Sequence, residues 1–526
     1  MTSAETTAED EAGRSELSRN WAAVFLAIGL ASGFAVYFIL EYAASAPWEI
    51  GPSLGLLTGA AAFCLAVEPR RWWPAAAAGL AIAGLLGLLT TLTMLRFADG
   101  QEIQWYVREL FLILEAIIVA KIALPFIQCW QKEGRLSFPY PRLFAHAWNN
   151  CLILIVADVF TAFFWLIIVL FAQLFLALGI DFLDELTREP AFFWPATTTA
   201  AALALYAGRD YTRVVMALRR IVFSLFSVLA PVFLALSLVF VALLVFGGFE
   251  KLSSIFSAAA TLAILMVIGI ILFNALLRDG SSEARSNRLL SLCALLLAPA
   301  LAVLAGYAVY AIYLRIDQYG LTPDRVWAAA AIFVLSLHAA AYTVALAARQ
   351  HWSGWCRRAN IWIAGATLLL ALALLSPWGD PYRVSAENQY RRLASGAVDP
   401  ETFDYGFLKF DLGSYGEKAL ARIAEDAGLA ERDVVAFETA YNTVGAPPPA
   451  DLLAAMAARQ SGQPARAASA NASLPIPPTA VVSTVDVGVD LSRPLRADAI
   501  TTAVLRGEDD RLGQPVPPVL AYASAT

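Results

Sequence analysis

Long apolar runs recur from Trp21 to Trp378 and then stop, and this pattern constrains the fold more than any other feature of the chain. A run of about 20 apolar residues is long enough to cross a hydrocarbon core of roughly 30 Å as a helix. The chain is 59% hydrophobic and 15% charged, whereas soluble domains are roughly 45–50% apolar and about 25% charged. The sequence therefore predicts an all-α polytopic membrane protein.

Charged residues and tryptophans bound the apolar runs and divide them into eleven predicted transmembrane helices. Tryptophan near the end of a run is typical of the membrane–water interface. The predicted spans are 21–42, 51–67, 73–95, 106–129, 148–180, 191–207, 219–248, 253–277, 289–314, 323–348 and 360–378. The stretches Leu143 to Ile180 and Arg213 to Gly248 exceed what a bilayer needs, so we expect each to begin with an interfacial turn that leads into a tilted span.

Basic residues are concentrated on alternate loops, which predicts the orientation. Loops that stay in the cytoplasm carry an excess of lysine and arginine. The loops on one side hold most of these residues, and the loops on the other side hold only Arg96, Arg188, Lys251, Arg315 and Arg325. We therefore expect a cytoplasmic N-terminus and an extracytoplasmic C-terminus, which would be periplasmic in a Gram-negative cell.

These features divide the chain into four predicted parts. They are a cytoplasmic segment at 1–20, a transmembrane bundle at 21–378, an extracytoplasmic helical unit at 379–444 and a low-complexity, poorly ordered tail at 445–526. The tail contains the proline- and alanine-rich runs APPPA and ARAASANASLPIPP, which are typical of linkers.

Capping signals predict the helices of the extracytoplasmic unit. Ser385 can cap the first helix, and Asp399 begins the second. Ser414 and Glu417 have the S-x-x-E spacing of a capping box for the third helix. A fourth helix is predicted at roughly 430–443. A unit of this size is too small to build a large core, so we expect it to pack against the bundle or against a partner protein.

Ionisable side chains inside predicted spans are the first candidates for a functional site, because burying a charge in a membrane is costly. Arg108 and Glu115 lie seven residues apart and share a helical face. Lys121 and Asp158 lie at about the same predicted depth on neighbouring spans, so we hypothesise an ion pair between them. His338 lies in the middle of the tenth span.

Each of these residues also has a structural interpretation. The Lys121–Asp158 pair could be a structural ion pair that holds two helices together, or Lys121 could extend to the membrane–water interface. Glu115 could be neutralised by Arg108 or could relay protons. His338 could be a hydrogen-bonded packing residue or a proton carrier. Asn274 and the threonine run at 197–199 are interpreted as interhelical hydrogen-bonding groups.

The polar stretch IDQYGLTPDRVW, residues 316–327, is predicted to be an external hairpin between the ninth and tenth spans. Gly320 can adopt the positive φ that ends a helix. Thr322 as N-cap, Pro323 at the first helical position and Asp324 beside the positive helix end then start the next helix.

The charged residues of this hairpin form a second candidate site. Arg315 and Arg325 are its basic residues, and Asp317 and Asp324 are close enough along the chain to offset them. Because the hairpin faces the same compartment as the C-terminal unit, docking between the two is a testable hypothesis.

The sequence contains little that indicates catalysis or metal binding. The five cysteines show no C-x-x-C spacing, the three histidines lie in separate segments, and no catalytic motif or phosphate-binding loop is present. We therefore expect no enzymatic activity and no metal or cofactor. The net charge of −6, without a basic cluster, indicates no nucleic-acid partner.

Several stretches together resemble the bacterial inner-membrane family catalogued as domain of unknown function four-one-five-three. They are WLIIVLFAQLFLALGIDFLDEL at 165–186, LFNALLRDG at 272–280, YLRIDQYGLTPDRVWA at 313–328, HWSGWCRRANIW at 351–362 and the segment from SPWGD to GEKAL at 376–420. The resemblance implies a polytopic protein of the cytoplasmic membrane with an extracytoplasmic tail. It implies no reaction, substrate or catalytic residue.

Three functions are compatible with these features. The first is a scaffold or sensor-like binding protein of the cell envelope, whose bundle sits in the lipid bilayer and presents the external helical unit to a protein partner. The second is a transporter of a small solute or lipid that uses Glu115, Lys121 and Asp158 as a polar path. The third is a membrane-embedded transferase. The sequence favours the first, because the polar groups are few for a carrier, and it leaves the ligand and the oligomeric state open.

Overall fold

The computed structural model of the chain describes residues 19–43, 46–95, 105–247, 257–278 and 288–425. Within these ranges every regular element is helical. All of them belong to one compact unit. Residues 1–18 of the segment predicted at 1–20, the predicted fourth helix of the C-terminal unit and the predicted tail at 445–526 lie outside the described residues.

Fourteen α-helices are described, and they are numbered here in chain order. They are α1 Arg19–Tyr42, α2 Ala46–Ala66, α3 Trp72–Met94, α4 Trp105–Glu133, α5 Tyr140–Ala177, α6 Phe182–Arg188, α7 Pro190–Asp210, α8 Thr212–Gly247, α9 Ala258–Leu277, α10 Arg288–Tyr319, α11 Pro323–Ala345, α12 Trp352–Leu374, α13 Pro381–Ala394 and α14 Gly413–Glu425. Short 3₁₀ turns at Leu346–His351 and Pro400–Thr402 and a π turn at Phe407–Asp411 complete the described elements.

Ten helices of the described chain are long and apolar enough to cross a membrane, which confirms the polytopic all-α class. Every predicted span coincides with a helix, but α7 does not reach the required apolarity. It carries three consecutive threonines and ends in Arg209 and Asp210. The difference between eleven predicted and ten apolar helices is therefore due to this one polar helix.

Helix α7 nevertheless runs antiparallel to α5 over much of its length. Near one end the Trp165 indole donates to the Thr197 hydroxyl at 3.0 Å. Near the other end Gly208 lies against Ile153, whose nearest methyl carbon would be 3.0 Å from an added Cβ. Because α5 is one of the apolar helices, α7 traverses the same depth of the bundle.

Helix α1 packs against the opposite side of α7 through small residues. The Thr198 hydroxyl donates to the Gly29 carbonyl at 2.7 Å. A Cβ on Gly29 would lie 2.6 Å from the Thr199 backbone, and one on Gly33 would lie 2.4 Å from the Pro195 backbone. The threonine run therefore supplies interhelical hydrogen bonds, as the sequence predicted.

The tightest contact in the bundle joins α2 to α3. Gly51, Gly55 and Gly59 follow one another at intervals of four on α2 and so form one face. A Cβ on Gly55 would lie 2.4 Å from the Ala83 carbonyl oxygen and 2.7 Å from the Gly87 Cα atom. Small residues at this spacing let two helix backbones approach in a membrane. This contact was not among the predictions, although the G-x-x-x-G-x-x-x-G spacing of α2 indicates it.

Polar side chains donate hydrogen bonds to the carbonyls at the C-terminal end of α2, which lack intrahelical partners. Arg209 of α7 donates to the Cys64 carbonyl at 2.8 Å, and Gln128 of α4 donates to the Leu65 carbonyl at 3.0 Å. Gln128 also exchanges hydrogen bonds with Asn150 of α5, at 3.2 and 2.8 Å. These contacts fix the relative depth of α2, α4, α5 and α7.

Two predictions about helix boundaries are wrong. Helices α5 and α8 are continuous over 38 and 36 residues, so neither begins with a separate interfacial turn. In the C-terminal unit, Asp380 rather than Ser385 caps α13, because its carboxylate accepts from the Tyr382 backbone N–H at 2.9 Å. Pro381 at the first helical position is the signal for this start, since proline is favoured there.

The remaining starts in the C-terminal unit also differ in detail. A 3₁₀ turn replaces the helix predicted after Asp399. Helix α14 already begins at Gly413, so Ser414 lies inside it rather than at its N-cap. The unit has its own core, in which Leu393, Leu408 and Leu412 are almost fully buried.

Candidate functional site

The turn between α10 and α11 is formed as the sequence predicted. Gly320 has φ of +73° and its N–H donates to the Ile316 carbonyl at 2.8 Å, which closes α10. Pro323 occupies the first turn of α11, and Asp324 follows it. Thr322 holds the N-cap position with extended backbone, but its side chain makes no cap hydrogen bond.

Helix α13 of the C-terminal unit lies against this turn and binds its main chain. The Arg392 guanidinium donates to the Asp317 carbonyl at 2.9 Å and to the Gln318 carbonyl at 3.1 Å, with a longer contact of 3.4 Å to Ile316. The Gln389 amide donates to the carbonyls of Tyr319 and Leu321, both at 3.1 Å. The hypothesis that the C-terminal unit docks on the hairpin is therefore confirmed.

Two further side chains of α13 complete the contact with Leu321. Asn388 accepts from the Leu321 N–H at 2.8 Å, and the Ser385 hydroxyl donates to the Leu321 carbonyl at 2.8 Å. Ser385 thus has a binding role rather than the capping role that the sequence suggested. Both groups of one turn residue are paired with side chains of the docked helix.

This arrangement follows from the chemistry of helix ends. The last carbonyls of an α-helix have no intrahelical partners, and they carry partial negative charge that attracts cations. Arg392 meets both requirements at the end of α10. Gly320 is also needed sterically, because a Cβ there would lie 2.7 Å from the Gln389 amide nitrogen and 2.8 Å from the Arg392 side chain.

An aromatic group beside the turn extends the contact into the bundle. The Trp327 ring of α11 stacks on Phe111 of α4 at 4.1 Å and meets the edge of Tyr382 of α13 at 5.9 Å. The Trp327 indole N–H donates to the carboxylate of Glu115, which is 6% exposed. One side chain therefore connects the membrane helices to the C-terminal unit.

An ionic contact holds α13 and α14 together. Arg422 donates to Glu387 at 2.7 Å and stacks over the Tyr390 ring at 3.9 Å. Arg391 donates to the same carboxylate at 2.8 Å. The hydrogen bond from Arg422, with a further contribution from Arg391, lowers the pKa of Glu387 below its ordinary value of 4.5.

The charged side chains of the hairpin do not make the docking contact. Asp317 and Asp324 are exposed, and within the described chain neither forms an ion pair with Arg315 or Arg325. Both arginines instead lie over the Tyr319 ring, at 6.0 and 5.2 Å, and Arg325 donates to the Gly320 carbonyl. The expectation that the acids offset the charge of the arginines requires no ion pair and stays a prediction.

The predicted Lys121–Asp158 pair is not formed. The bonds between Gln128 and Asn150 set the register of α4 and α5, and both charged residues lie roughly 10–12 Å further along their helices at about 1.5 Å per residue. Lys121 and Asp158 therefore lie at about the same depth in the helix bundle. Each side chain is exposed, however, and no ion pair joins them in the parts of α4 and α5 that the structure describes.

The other intramembrane candidates have different outcomes. The side chain of Arg108 lies outside the described residues, so its predicted contact with Glu115 stays a prediction. His338 is half-buried, its Nδ1 lies 3.0 Å from the Val334 carbonyl, and its ring meets Tyr342 edge-on at 5.8 Å. These contacts favour the interpretation of His338 as a packing residue.

A polar network joins four helices, and only Asn274 among its members was predicted to bond between helices. Asn274 of α9 donates to the Tyr342 hydroxyl at 2.8 Å, and Tyr342 of α11 donates to Asn360 of α12 at 2.6 Å. Asn360 in turn donates to Asn274 at 2.6 Å and to the Tyr140 hydroxyl of α5 at 3.2 Å. Asn274 was interpreted as an interhelical group. Its partners could not be identified because they come from distant segments.

The geometry offers a docked helical unit and buried polar networks rather than a metal centre. In the described chain no group of three or more histidine, cysteine, aspartate or glutamate residues could hold a metal ion.

Comparison with known proteins gives a family match that includes the contact between the C-terminal unit and the α10–α11 turn. No curated protein and no solved structure matches the chain. A family model described as Domain of unknown function (DUF4153) matches residues 54–423, which contain the α10–α11 turn, Trp327 and all of α13. This span is more than half of the 526 residues. The protein is therefore a multi-pass helical membrane protein that belongs to the DUF4153 family.

Proposed function

We propose that this protein is a scaffold or sensor-like binding protein of the cell envelope. In this proposal the bundle holds the C-terminal helical unit on the extracytoplasmic side of the bacterial cytoplasmic membrane and presents it to an envelope protein. The proposal rests on one observation: side chains of α13 form hydrogen bonds with main-chain groups of the α10–α11 turn. A unit held in this way is presented in one orientation, which lowers the ordering cost of binding a partner.

The proposed orientation rests on the distribution of lysine and arginine between alternate loops. It places the N-terminus in the cytoplasm and the C-terminal unit outside. The proposed role is not enzymatic, since the sequence carries no catalytic or metal-binding motif.

The transporter alternative has less support. A polar path through the bundle would need Lys121 and Asp158 to face its interior together with Glu115. Both side chains are instead exposed. The buried carboxylate of Glu115 accepts a hydrogen bond from Trp327, which contacts the C-terminal unit. The polar residue nearest to the middle of the predicted path therefore belongs to the docking contact.

A complementation experiment separates the two functions. A strain that lacks the gene would be tested for envelope stress and for metabolite uptake, and then complemented with the wild type or with variants of equal membrane abundance. The scaffold proposal predicts that an Asn388→Ala, Gln389→Ala, Arg392→Ala triple variant fails to relieve envelope stress. It predicts that Lys121→Ala with Asp158→Asn complements fully.

The opposite pattern would contradict the proposal. If the Lys121 and Asp158 substitutions abolished uptake while the triple variant behaved as wild type, the transporter alternative would replace the scaffold.

A further inference from the structure

An apolar groove of about 370 Å³ runs along the outer surface of the bundle between α3 and α4. Its volume lies in the range of roughly 300–1,000 Å³ that is typical of ligand pockets. The lining side chains are all apolar apart from one indole, and they include Pro74, Ala77, Ala81 and Leu85 of α3 and Ile127 and Trp130 of α4.

Small residues of α3 create this groove. Ala77 and Ala81 lie one turn apart and are both exposed. Neighbouring positions of the same helix carry large exposed side chains, such as Leu80 and Leu88. The groove is therefore a local depression in a surface that otherwise projects leucine side chains toward the lipid.

The length of the groove matches one leaflet of a membrane. From Pro74 to Leu85 the helix rises about 16 Å at roughly 1.5 Å per residue. Half of a hydrocarbon core of roughly 30 Å is about 15 Å. An acyl chain that enters at the Pro74 end would thus lie in the groove to about the middle of the bilayer.

Basic residues lie close in sequence to Pro74 and Trp130, which line one end of the groove. Arg70 and Arg71 immediately precede α3, and Lys132 follows Trp130 by two residues on α4. All three are exposed, and in the described parts of the chain none of them forms an ion pair. Their positive charge is available to a ligand at the membrane surface.

From these observations we propose that the groove between α3 and α4 binds an anionic phospholipid. One acyl chain occupies the depression along Ala77 and Ala81, and the phosphate of the headgroup lies near Arg70, Arg71 and Lys132. Acyl chains fit the apolar lining, and a headgroup with net negative charge complements the cations at the groove mouth. This site is independent of the proposed role of the C-terminal unit, because it involves neither α13 nor the α10–α11 turn.

Native mass spectrometry of the full-length protein, released from detergent in the presence of added lipid, tests this proposal. The probes are phosphatidylglycerol and phosphatidylethanolamine with identical acyl chains. We expect the wild type to retain phosphatidylglycerol preferentially. Replacing Arg70 and Arg71 by glutamine should lower its affinity roughly 10- to 30-fold, since each basic residue near an anionic lipid contributes about a fivefold effect. Phosphatidylethanolamine binding should change little.

A second pair of substitutions tests the acyl-chain part of the site. Ala77→Leu with Ala81→Leu fills the groove and should weaken the binding of both lipids. Its matched control is Ala27→Leu with Ala31→Leu, which places leucine at two exposed alanines with the same spacing on α1. The control for the charges is Arg213→Gln with Arg220→Gln, two exposed arginines on α8. Both controls should bind as the wild type does.

Three outcomes would overturn the proposal. The first is equal retention of the two lipids by the wild type. The second is unchanged phosphatidylglycerol binding in both the glutamine and the leucine variants. The third is a dimer that dissociates in the groove-filling variant, which would assign the groove to a second copy of the chain. If the double leucine variant did not fold, Ala81→Leu alone would provide the same comparison.

Discussion

Replacing Arg392 by alanine should loosen the C-terminal helical unit from the bundle. The guanidinium donates to three carbonyls at the end of α10, at 2.9, 3.1 and 3.4 Å. Hydrogen bonds that involve a charged group contribute about 1.5–3 kcal/mol, and a cation at an exposed helix C-terminus contributes about 0.3–1 kcal/mol. Because Arg392 is half-buried, we expect its loss to destabilise the docked state by about 1–2 kcal/mol.

Limited proteolysis of the purified full-length protein measures this change. When opening is fast relative to cleavage, the cleavage rate follows the population of the open state. A loss of about 1–2 kcal/mol should therefore raise the rate of cleavage between residues 381 and 425 roughly 5- to 30-fold. Fragments that end within the C-terminal unit would be followed by mass spectrometry, so that cleavage elsewhere in the chain does not interfere.

Arg391→Ala is the matched control, because Arg391 is the adjacent arginine of α13. Its side chain is exposed and pairs with Glu387 rather than with the turn. An exposed pair of this kind is worth about 0–1 kcal/mol, so cleavage should accelerate only slightly. Equal cleavage rates for Arg392→Ala and the wild type, or equal acceleration by both substitutions, would refute the role assigned to Arg392.

Three further changes test other contacts. Trp327→Phe keeps an aromatic ring but removes the hydrogen bond to Glu115, and should lower the free energy of unfolding by about 1.5–3 kcal/mol; a melting temperature equal to that of the wild type would contradict this. Gly55→Val forces α2 away from α3 and should lower the free energy of unfolding by about 1–3 kcal/mol. Its control is Gly84→Val, which should leave the thermal midpoint unchanged because an added Cβ at Gly84 meets nothing within 4 Å. The pKa of Glu387 is lowered in the folded unit. The stabilisation that the ionised Glu387 gives this unit is therefore complete above the ordinary pKa of 4.5, and it is lost as the pH falls through the lower pKa of the folded state. Proteolysis of the unit should therefore accelerate at acidic pH in the wild type and depend less on pH in Glu387→Gln.

Local signals in the sequence were sufficient to predict the membrane helices and the α10–α11 turn. Runs of apolar residues identify membrane helices because the lipid leaves no other partner for backbone polar groups. Gly320 and Pro323 each have a conformational preference that determines where a helix ends or begins. These effects depend on few neighbours and can be read without knowledge of the tertiary structure.

The side-chain contacts between helices could not be predicted in the same way. The depth of Lys121 and Asp158 follows from counting residues, but the direction in which each side chain points depends on the rotation of α4 and α5 about their axes. Glu115 was recognised as a candidate, yet its partner Trp327 lies 212 positions away in the chain. Such pairings are decided by the packing of whole helices.

The most direct test of the docked arrangement is hydrogen exchange of the wild-type protein in a lipid bilayer. In the docked protein the backbone amides of α13 should exchange slowly, together with the Leu321 amide that donates to Asn388, because they open only when the C-terminal unit leaves the bundle. The Asn388→Ala, Gln389→Ala, Arg392→Ala variant should then exchange faster in α13 while the central residues of α11 keep their protection. Rapid exchange throughout α13 in the wild type, with α11 fully protected, would show that the C-terminal unit is not docked on the bundle.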